Sequence, residues 1–299
     1  MKIIIVGGSG FIGSKLSERF IKQGHSVVSL DIASPRVSGV GFLKCFCEKG
    51  IPKDSKLQNP DIVINLAGRS IVGSWDQEHK NSIYSSRIET TKNLITLFKD
   101  INFRPKVFVQ ASATGFYGDR QEEVLSEGST GGTKLFLAHV VADWEQEAYK
   151  ASRYGVRTVI LRQGNVLGLH GFLESLRPAY RLGLGGTVGS GQNWLPWIHI
   201  DDLVSVYTKV ISVEISGVIN AVAPESVRYI DFSRLYAKLL HRPHFLRIPK
   251  CIFRLKYRDF TDEIAASQKV VSLRLWELGN CIQYKTLQEA LNSIEYDKK

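Results

Sequence analysis

The sequence predicts an α/β fold: a doubly wound parallel sheet with helices on both faces, followed by a smaller C-terminal α/β lobe. Three observations carry this reading. Short all-apolar runs alternate with amphipathic helical stretches through the first half of the chain. The first of these runs ends in spaced glycines that open a helix. The chain has 299 residues, 43% hydrophobic and 23% charged, a globular balance long enough to bury a core without disulfides or metals.

The elements follow in order. Lys2–Val6 is a short apolar strand of the kind buried on both faces. Phe11 to about Gln23 is a helix, with apolar residues at 11, 12, 16, 20 and 21 and Gly24 at its stop. Ser26–Asp31 is the second strand, and Asp61–Leu66 another, introduced by Pro60. Cys45 and Cys47 sit two apart in an alternating stretch, which places them on one face of a strand. A long amphipathic helix runs from about His79 to Lys99. Lys106–Ala111 is a strand, about Leu135 to Ser152 a helix, and Arg157–Arg162 a strand. This β-α-β rhythm argues for an open parallel sheet. Beyond it, the glycine-rich stretch Leu182–Gly191 reads as loop or short hairpin. Helices are expected at Asp201 to about Ser212, Ile230 to about His241 and Thr286–Ser293, and a strand at Gly217–Ala221.

Composition excludes several classes. No stretch approaches the ~20 apolar residues of a membrane span, and the first apolar run is too short for a signal-peptide core. The expectation is a cytoplasmic protein that contacts neither membrane nor nucleic acid. Four cysteines do not form a disulfide framework, and no metal-ligand spacing is present. The net charge is +10 and uneven: residues 1–150 carry 19 basic and 16 acidic side chains, residues 151–299 carry 20 and 13. Between Phe232 and Arg258 there are eight cations and no Asp or Glu. Such a stretch attracts nucleic acid, acidic lipid or a phosphorylated substrate, or is a solvated face with a few phosphate contacts.

The strongest local feature is Val6-Gly7-Gly8-Ser9-Gly10-Phe11-Ile12-Gly13, with glycines at 7, 10 and 13 between a strand and a helix. The first glycine allows the tight turn, the second lets backbone approach a pyrophosphate, and the third lets helix and strand pack closely. The helix N-terminus offers free N–H groups and the positive end of its dipole. Asp31 lies 18 residues after Gly13 at the end of the second strand. A carboxylate there accepts hydrogen bonds from the adenosine ribose and repels a 2′-phosphate, which favours NAD, with NADP as the alternative and Arg36 within reach of a 2′-phosphate. Its other reading is a helix-cap or turn acid.

The spacing Gly-x-x-Gly-x-x-Gly resembles the extended short-chain dehydrogenase/reductase superfamily. Further segments narrow the resemblance: Asn65-Leu66-Ala67-Gly68, Ser86-Arg87-Ile88-Glu89-Thr90-Thr91, Ser112-Ala113-Thr114-Gly115-Phe116-Tyr117-Gly118-Asp119, Arg162-Gln163-Gly164-Asn165 and Trp197-Ile198-His199-Ile200-Asp201-Asp202. Together with Thr286-Leu287-Gln288-Glu289-Ala290-Leu291 near the end, they resemble the atypical YfcH-like "epimerase family protein" branch of the NAD-dependent epimerase/dehydratase superfamily.

That resemblance implies a Rossmann-type domain over residues 1–165, also receiving 198–220, with 166–197 and 221–299 forming a substrate lobe. It implies a nicotinamide dinucleotide surrounded by Gly7, Ser9, Gly10, Phe11, Ile12 and Gly13, with Ala67 and Gly68 beside the ribose and pyrophosphate. Arg87 sits on a helix bordering the cofactor; its other reading is a surface ion pair with Glu89 or Asp76. Members of the branch often carry an arginine after the second strand, suited to NADP, where this chain has Asp31.

Superfamily chemistry uses a Tyr-x-x-x-Lys pair, whose members share a helix face and move a proton while hydride moves. None of the eleven tyrosines has a lysine four positions on; aligned on Trp144-Glu145, the two positions are Leu137 and Val141. Ser112 keeps the position of the superfamily serine, as a substrate hydrogen-bond donor or a strand-end cap. Tyr117 is a proton donor or a pocket wall, and His139 offers an imidazole on the right helix. Asn165, Trp194 and His199 are the expected substrate side, with Trp194 able to stack on a ring and His199 tying elements together. Two function classes follow. One is a nucleotide-dependent oxidoreductase or epimerase-like enzyme acting on a small molecule such as a sugar nucleotide. The other is a non-catalytic dinucleotide-binding sensor or scaffold.

Overall fold

The computed structural model describes residues 1–296. A seven-stranded sheet runs in the order Gly217–Ala221, Arg157–Gln163, Val107–Ala113, Ile62–Asn65, Lys2–Val6, Ser26–Asp31, Gly41–Lys44. Lys2–Val6 pairs in parallel with Ser26–Asp31 on one side and with Ile62–Asn65 on the other. The strand order therefore reverses at Lys2–Val6, a switch point of the type where open α/β sheets form a crevice at their carboxyl ends. Register sets those ends level: Val6 lies opposite both Leu30 and Asn65, and Asn65 opposite Gln110. Gly7, Asp31, Leu66 and Ala111 consequently lie along one edge. Ile3, Ile4, Ile5 and Val6 are all buried, because the sheet is covered on both faces; that is why these strands show no alternation.

The helix Phe11–Lys22 buries Leu16 and Phe20. The helix Gln77–Leu97 starts at Asp76, whose carboxylate accepts from the His79 N–H at 2.8 Å, two residues before the sequence pattern suggests. The helix Phe136–Tyr149 runs on into a tight turn over Lys150–Tyr154.

Two expectations are corrected. Cys45 and Cys47 do not share a strand face, because the strand Gly41–Lys44 ends before them and Cys47 opens a 3₁₀ turn. Both thiols are buried in the core with Phe98 and Phe103, and burial pushes them up from their ordinary pKa. The glycine-rich 182–191 stretch is neither plain loop nor hairpin. Its Gly186–Val188 pairs in parallel with the remote strand Leu246–Ile248. A Cβ at Gly186 would run into the Leu246 carbonyl, so the glycine content serves strand approach as well as turning. The helix Phe172–Arg181, with Pro178 inside it, has no counterpart in the sequence reading, since an internal proline argues against a helix.

The chain divides into two compact units. One comprises residues 1–112, 140–161 and 207–218, and the other 113–139, 162–206 and 219–299. The second unit has its own core, in which Tyr180, Phe232 and Tyr236 pack with Leu287 and Leu291 of the final helix Leu287–Tyr296. Among the described residues no helix is long and apolar enough to cross a membrane, and no three His, Cys, Asp or Glu side chains are grouped to hold a metal.

Candidate functional site

The glycine cradle lies in the first unit at the switch point. Gly7 has φ +79°, and a Cβ there would stand 3.1 Å from the Ala67 nitrogen, so the crossover holds the two loops too close for a side chain. A Cβ at Gly13 would collide with the Gly7 carbonyl, which fixes helix against strand. Gly10 differs. A Cβ there would meet only the Gly7 carbonyl, at 3.3 Å, a tight contact short of the collision at Gly13. Gly10 is also the N-cap of the helix Phe11–Lys22, and it offers no side chain to the first-turn N–H groups. The first turn carries no acid. A bare helix N-terminus of this kind suits an anion.

Ser9 lies at the lip of the cradle, and its N–H donates to Asp31 Oδ2 at 2.9 Å. Asp31 Oδ1 accepts from the Ile32 N–H at 2.7 Å, and the Ser9 hydroxyl donates to the Ala33 carbonyl at 2.6 Å. The carboxylate thus braces the loop from the end of the second strand. Each of its oxygens retains a further acceptor direction.

Arg87 projects from the helix Gln77–Leu97 against Gly68, where a Cβ would lie 2.9 Å from the guanidinium carbon. Arg87 donates to the carbonyls of Arg69 (3.0 Å) and Ile83 (3.1 Å), and its guanidinium lies 5.3 Å from the centroid of the Trp144 ring. The alternative reading of Arg87, a surface ion pair, is not met: Glu89 pairs with Lys92, and Asp76 caps its own helix. Among the described residues Arg87 has no acidic partner. Burial alone lowers its pKa to about 10, the signature of a desolvated cation held without a counter-charge.

A buried polar network underlies it. Thr91 Oγ1 donates to the Arg87 carbonyl (2.8 Å) and accepts from Trp144 Nε1 (2.9 Å) and Asn65 Nδ2 (3.0 Å). Asn65 also donates to Gln110 Oε1 (3.0 Å), and its own Oδ1 accepts from the Ala67 N–H (3.2 Å). The residues of the Asn-Leu-Ala-Gly and Ser-Arg-Ile segments are therefore one hydrogen-bonded assembly. At the end of the strand Val107–Ala113, Ser112 Oγ donates to Glu145 Oε1 at 2.5 Å, and both side chains are buried. Glu145 follows Trp144 on the helix Phe136–Tyr149. Asn65, Thr91 and Glu145 stand in the quoted segments without an assigned role; a polar residue inside an otherwise apolar strand or helix face is the signal that marks them.

The other expected residues lie in the second unit, each with its own partners. Tyr117 is fully buried. Its hydroxyl donates within reach of Asn220 Oδ1 (2.8 Å) and the Ser126 carbonyl (2.9 Å), and accepts from Arg162 (3.0 Å). Burial pushes its pKa up. Asn165 Nδ2 donates to the Pro196 carbonyl at 2.9 Å. Trp194 donates from Nε1 to Glu122 at 3.0 Å, while the Arg228 guanidinium and the Lys269 ammonium lie 4.1 and 4.7 Å from its ring centroid. His199 is buried against Tyr284, accepts from the Asp201 N–H (3.2 Å) and meets Ser293 on the final helix (3.2 Å). His139 is exposed.

The switch point, the bare helix N-terminus and the glycine spacing define an α/β protein of the dinucleotide-fold class. The model of the NAD dependent epimerase/dehydratase family matches residues 3–221, and the chain belongs to that family. It is 32% identical to the epimerase family protein YfhF of Bacillus subtilis, over 100% of this chain and 99% of that one. It is 34% identical to the chloroplastic SDR39U1 homologue of Arabidopsis thaliana, over 98% of this chain and 86% of the other. Among solved structures, human epimerase family protein SDR39U1 with NADPH superposes with a TM-score of 0.86 at 29% identity, over 99% of this chain and 100% of that one. MoeE5, solved with UDP-glucuronic acid and NAD, shares the fold at a TM-score of 0.79 and 19% identity, over 100% and 99% of the two chains.

Proposed function

We propose that this chain binds a nicotinamide dinucleotide and acts in the cytoplasm as an oxidoreductase or nucleotide-sugar epimerase-like enzyme without the Tyr-x-x-x-Lys pair. The observation that carries the reading is the helix N-terminus at Gly10, which has no side-chain cap and no acid in its first turn. Gly7, Ser9, Phe11, Ile12 and Gly13 complete the cradle, and Ala67, Gly68 and Arg87 face the same ligand, with Arg87 as the fixed counter-charge to its phosphates. A bound nicotinamide supplies a hydride donor or acceptor. Ser112 Oγ, its own proton held by Glu145, accepts a hydrogen bond from a substrate hydroxyl, and Glu145 fixes the Ser112 rotamer. Asn165, Trp194 and His199 belong to the substrate side, while Tyr117, fully enclosed, acts through its packing and hydrogen bonds alone. The family and the sugar-nucleotide complexes of fold relatives support a small-molecule substrate of that kind.

Asp31 at the ribose end favours NAD. NADP is the second reading, supported by the NADPH in the human relative. A non-catalytic sensor or scaffold is the competing function, supported by Leu137 and Val141 at the proton-transfer positions and by the enclosure of Tyr117. Titration with the four dinucleotides, followed by a substrate screen with the form that binds, separates these readings.

A further inference from the structure

We propose that residues 241–258, with the adjoining turn at Leu182–Leu184, form a surface that docks peripherally on an anionic lipid bilayer. The helix Lys250–Tyr257 has no buried residue. Phe253 and Tyr257 stack on each other at 4.3 Å and are half-buried. Ile252 and Leu255, three apart and so on one side of the helix, are exposed, Leu255 at 86%. Phe245 before the helix is 71% exposed and Leu182 75%. The turn joins this patch, because a Cβ at Gly183 would lie 3.5 Å from Pro243. Large aliphatic and aromatic tips held in water over one contiguous segment mark an interaction surface.

Charge identifies the partner. The stretch from Phe232 to Arg258 holds eight cations and no acid. Arg234 and Arg254 pair with Asp231 and Asp262, which lie outside it. Arg242, Arg247, Lys250 and Lys256 make no ion pair among the described residues. A second copy of this surface would set cations against cations. A polynucleotide would answer the charge but leave the aliphatic tips in water. An anionic bilayer answers both, with headgroups taking the cations and the acyl boundary the apolar tips. The helix is too short to span and would lie in the plane of the interface. The absence of a spanning segment says nothing against such attachment.

The test is co-sedimentation of the full chain with vesicles of phosphatidylcholine alone and of phosphatidylcholine doped with phosphatidylglycerol. We expect binding to the doped vesicles only, falling several-fold when salt is raised. Leu255→Asp with Phe245→Asp should cut binding by about tenfold or more, and Lys250→Glu with Lys256→Glu should do the same. These side chains are exposed, so an unchanged melting curve verifies the fold of each variant. Failure of the folded wild type to bind doped vesicles at low salt overturns the proposal, as does equal binding by the Leu255→Asp, Phe245→Asp variant. Dimerisation abolished by Leu255→Asp, or capture of single-stranded RNA, without vesicle binding would assign the surface to those partners instead.

Discussion

The Arg87 guanidinium lies directly against Gly68, at a distance where any side chain at 68 would displace it. Its hydrogen bonds go to the backbone carbonyls of Arg69 and Ile83, and it forms no ion pair among the described residues. A half-buried cation with no counter-charge costs free energy in the folded protein, and a phosphate placed beside it would offset that cost. The glycine at 68 and the arginine at 87 are therefore one feature, a cation held against a loop that leaves no room for a side chain.

Replacing Arg87 by Met should weaken dinucleotide binding by roughly 10- to 100-fold, the loss of one charge-assisted hydrogen-bonded contact of about 1.5–3 kcal/mol. Thermal stability should hold or rise, because the substitution removes a half-buried charge with no acidic partner. Calorimetry and a melting curve on one sample check both halves. A marked loss of stability with unchanged affinity would make Arg87 a structural post.

Gly10 and Gly13 should separate binding from folding. Gly10→Ala meets only the Gly7 carbonyl, so it should cost about 1 kcal/mol of stability at most while weakening the dinucleotide at least about tenfold. Gly13→Ala drives a methyl into backbone and should destabilise the fold by about 1–3 kcal/mol. Chemical denaturation and titration of the two variants give the comparison. Equal stability of the two would contradict the packing role of Gly13.

Asp31→Asn keeps an oxygen for the Ser9 N–H and removes the negative charge. If the carboxylate repels a 2′-phosphate, the variant should shift the NADP-to-NAD affinity ratio toward NADP by about tenfold, a Coulomb effect of about 1 kcal/mol or more over a few ångströms. An unchanged ratio would reduce Asp31 to a brace for the Ser9 loop.

Ser112→Ala removes the donor to buried Glu145 Oε1 and should lower stability by about 1–3 kcal/mol. Dinucleotide affinity should stay within about threefold, since the cradle is untouched. With a substrate in hand, turnover should be lost. Full turnover by this variant would show that Ser112 is a strand-end cap.

The sheet was legible because two-sided burial writes continuous apolar runs into the sequence, and Lys2–Val6 and Ser26–Asp31 stand where those runs place them. The cradle was legible because its glycines mark a turn, an open helix end and a close crossing. The brace between Asp31 and Ser9, the contact of Arg87 with Gly68 and the Ser112–Glu145 hydrogen bond were not. Each joins residues far apart in sequence through side-chain direction, which residue spacing does not encode. The pairing of Gly186–Val188 with Leu246–Ile248 escaped because short strands far apart in sequence carry no mark of their partner, and Pro178 concealed its helix by forbidding a hydrogen bond the structure does without.

The most direct test of the account is a calorimetric titration of purified, nucleotide-stripped protein with the oxidised and reduced forms of NAD and NADP, with Gly10→Val alongside. The account predicts saturable binding of at least one form, lost in the variant while its melting curve stays cooperative. Folded wild-type protein that binds none of the four, or a variant that binds as well as wild type, would contradict it.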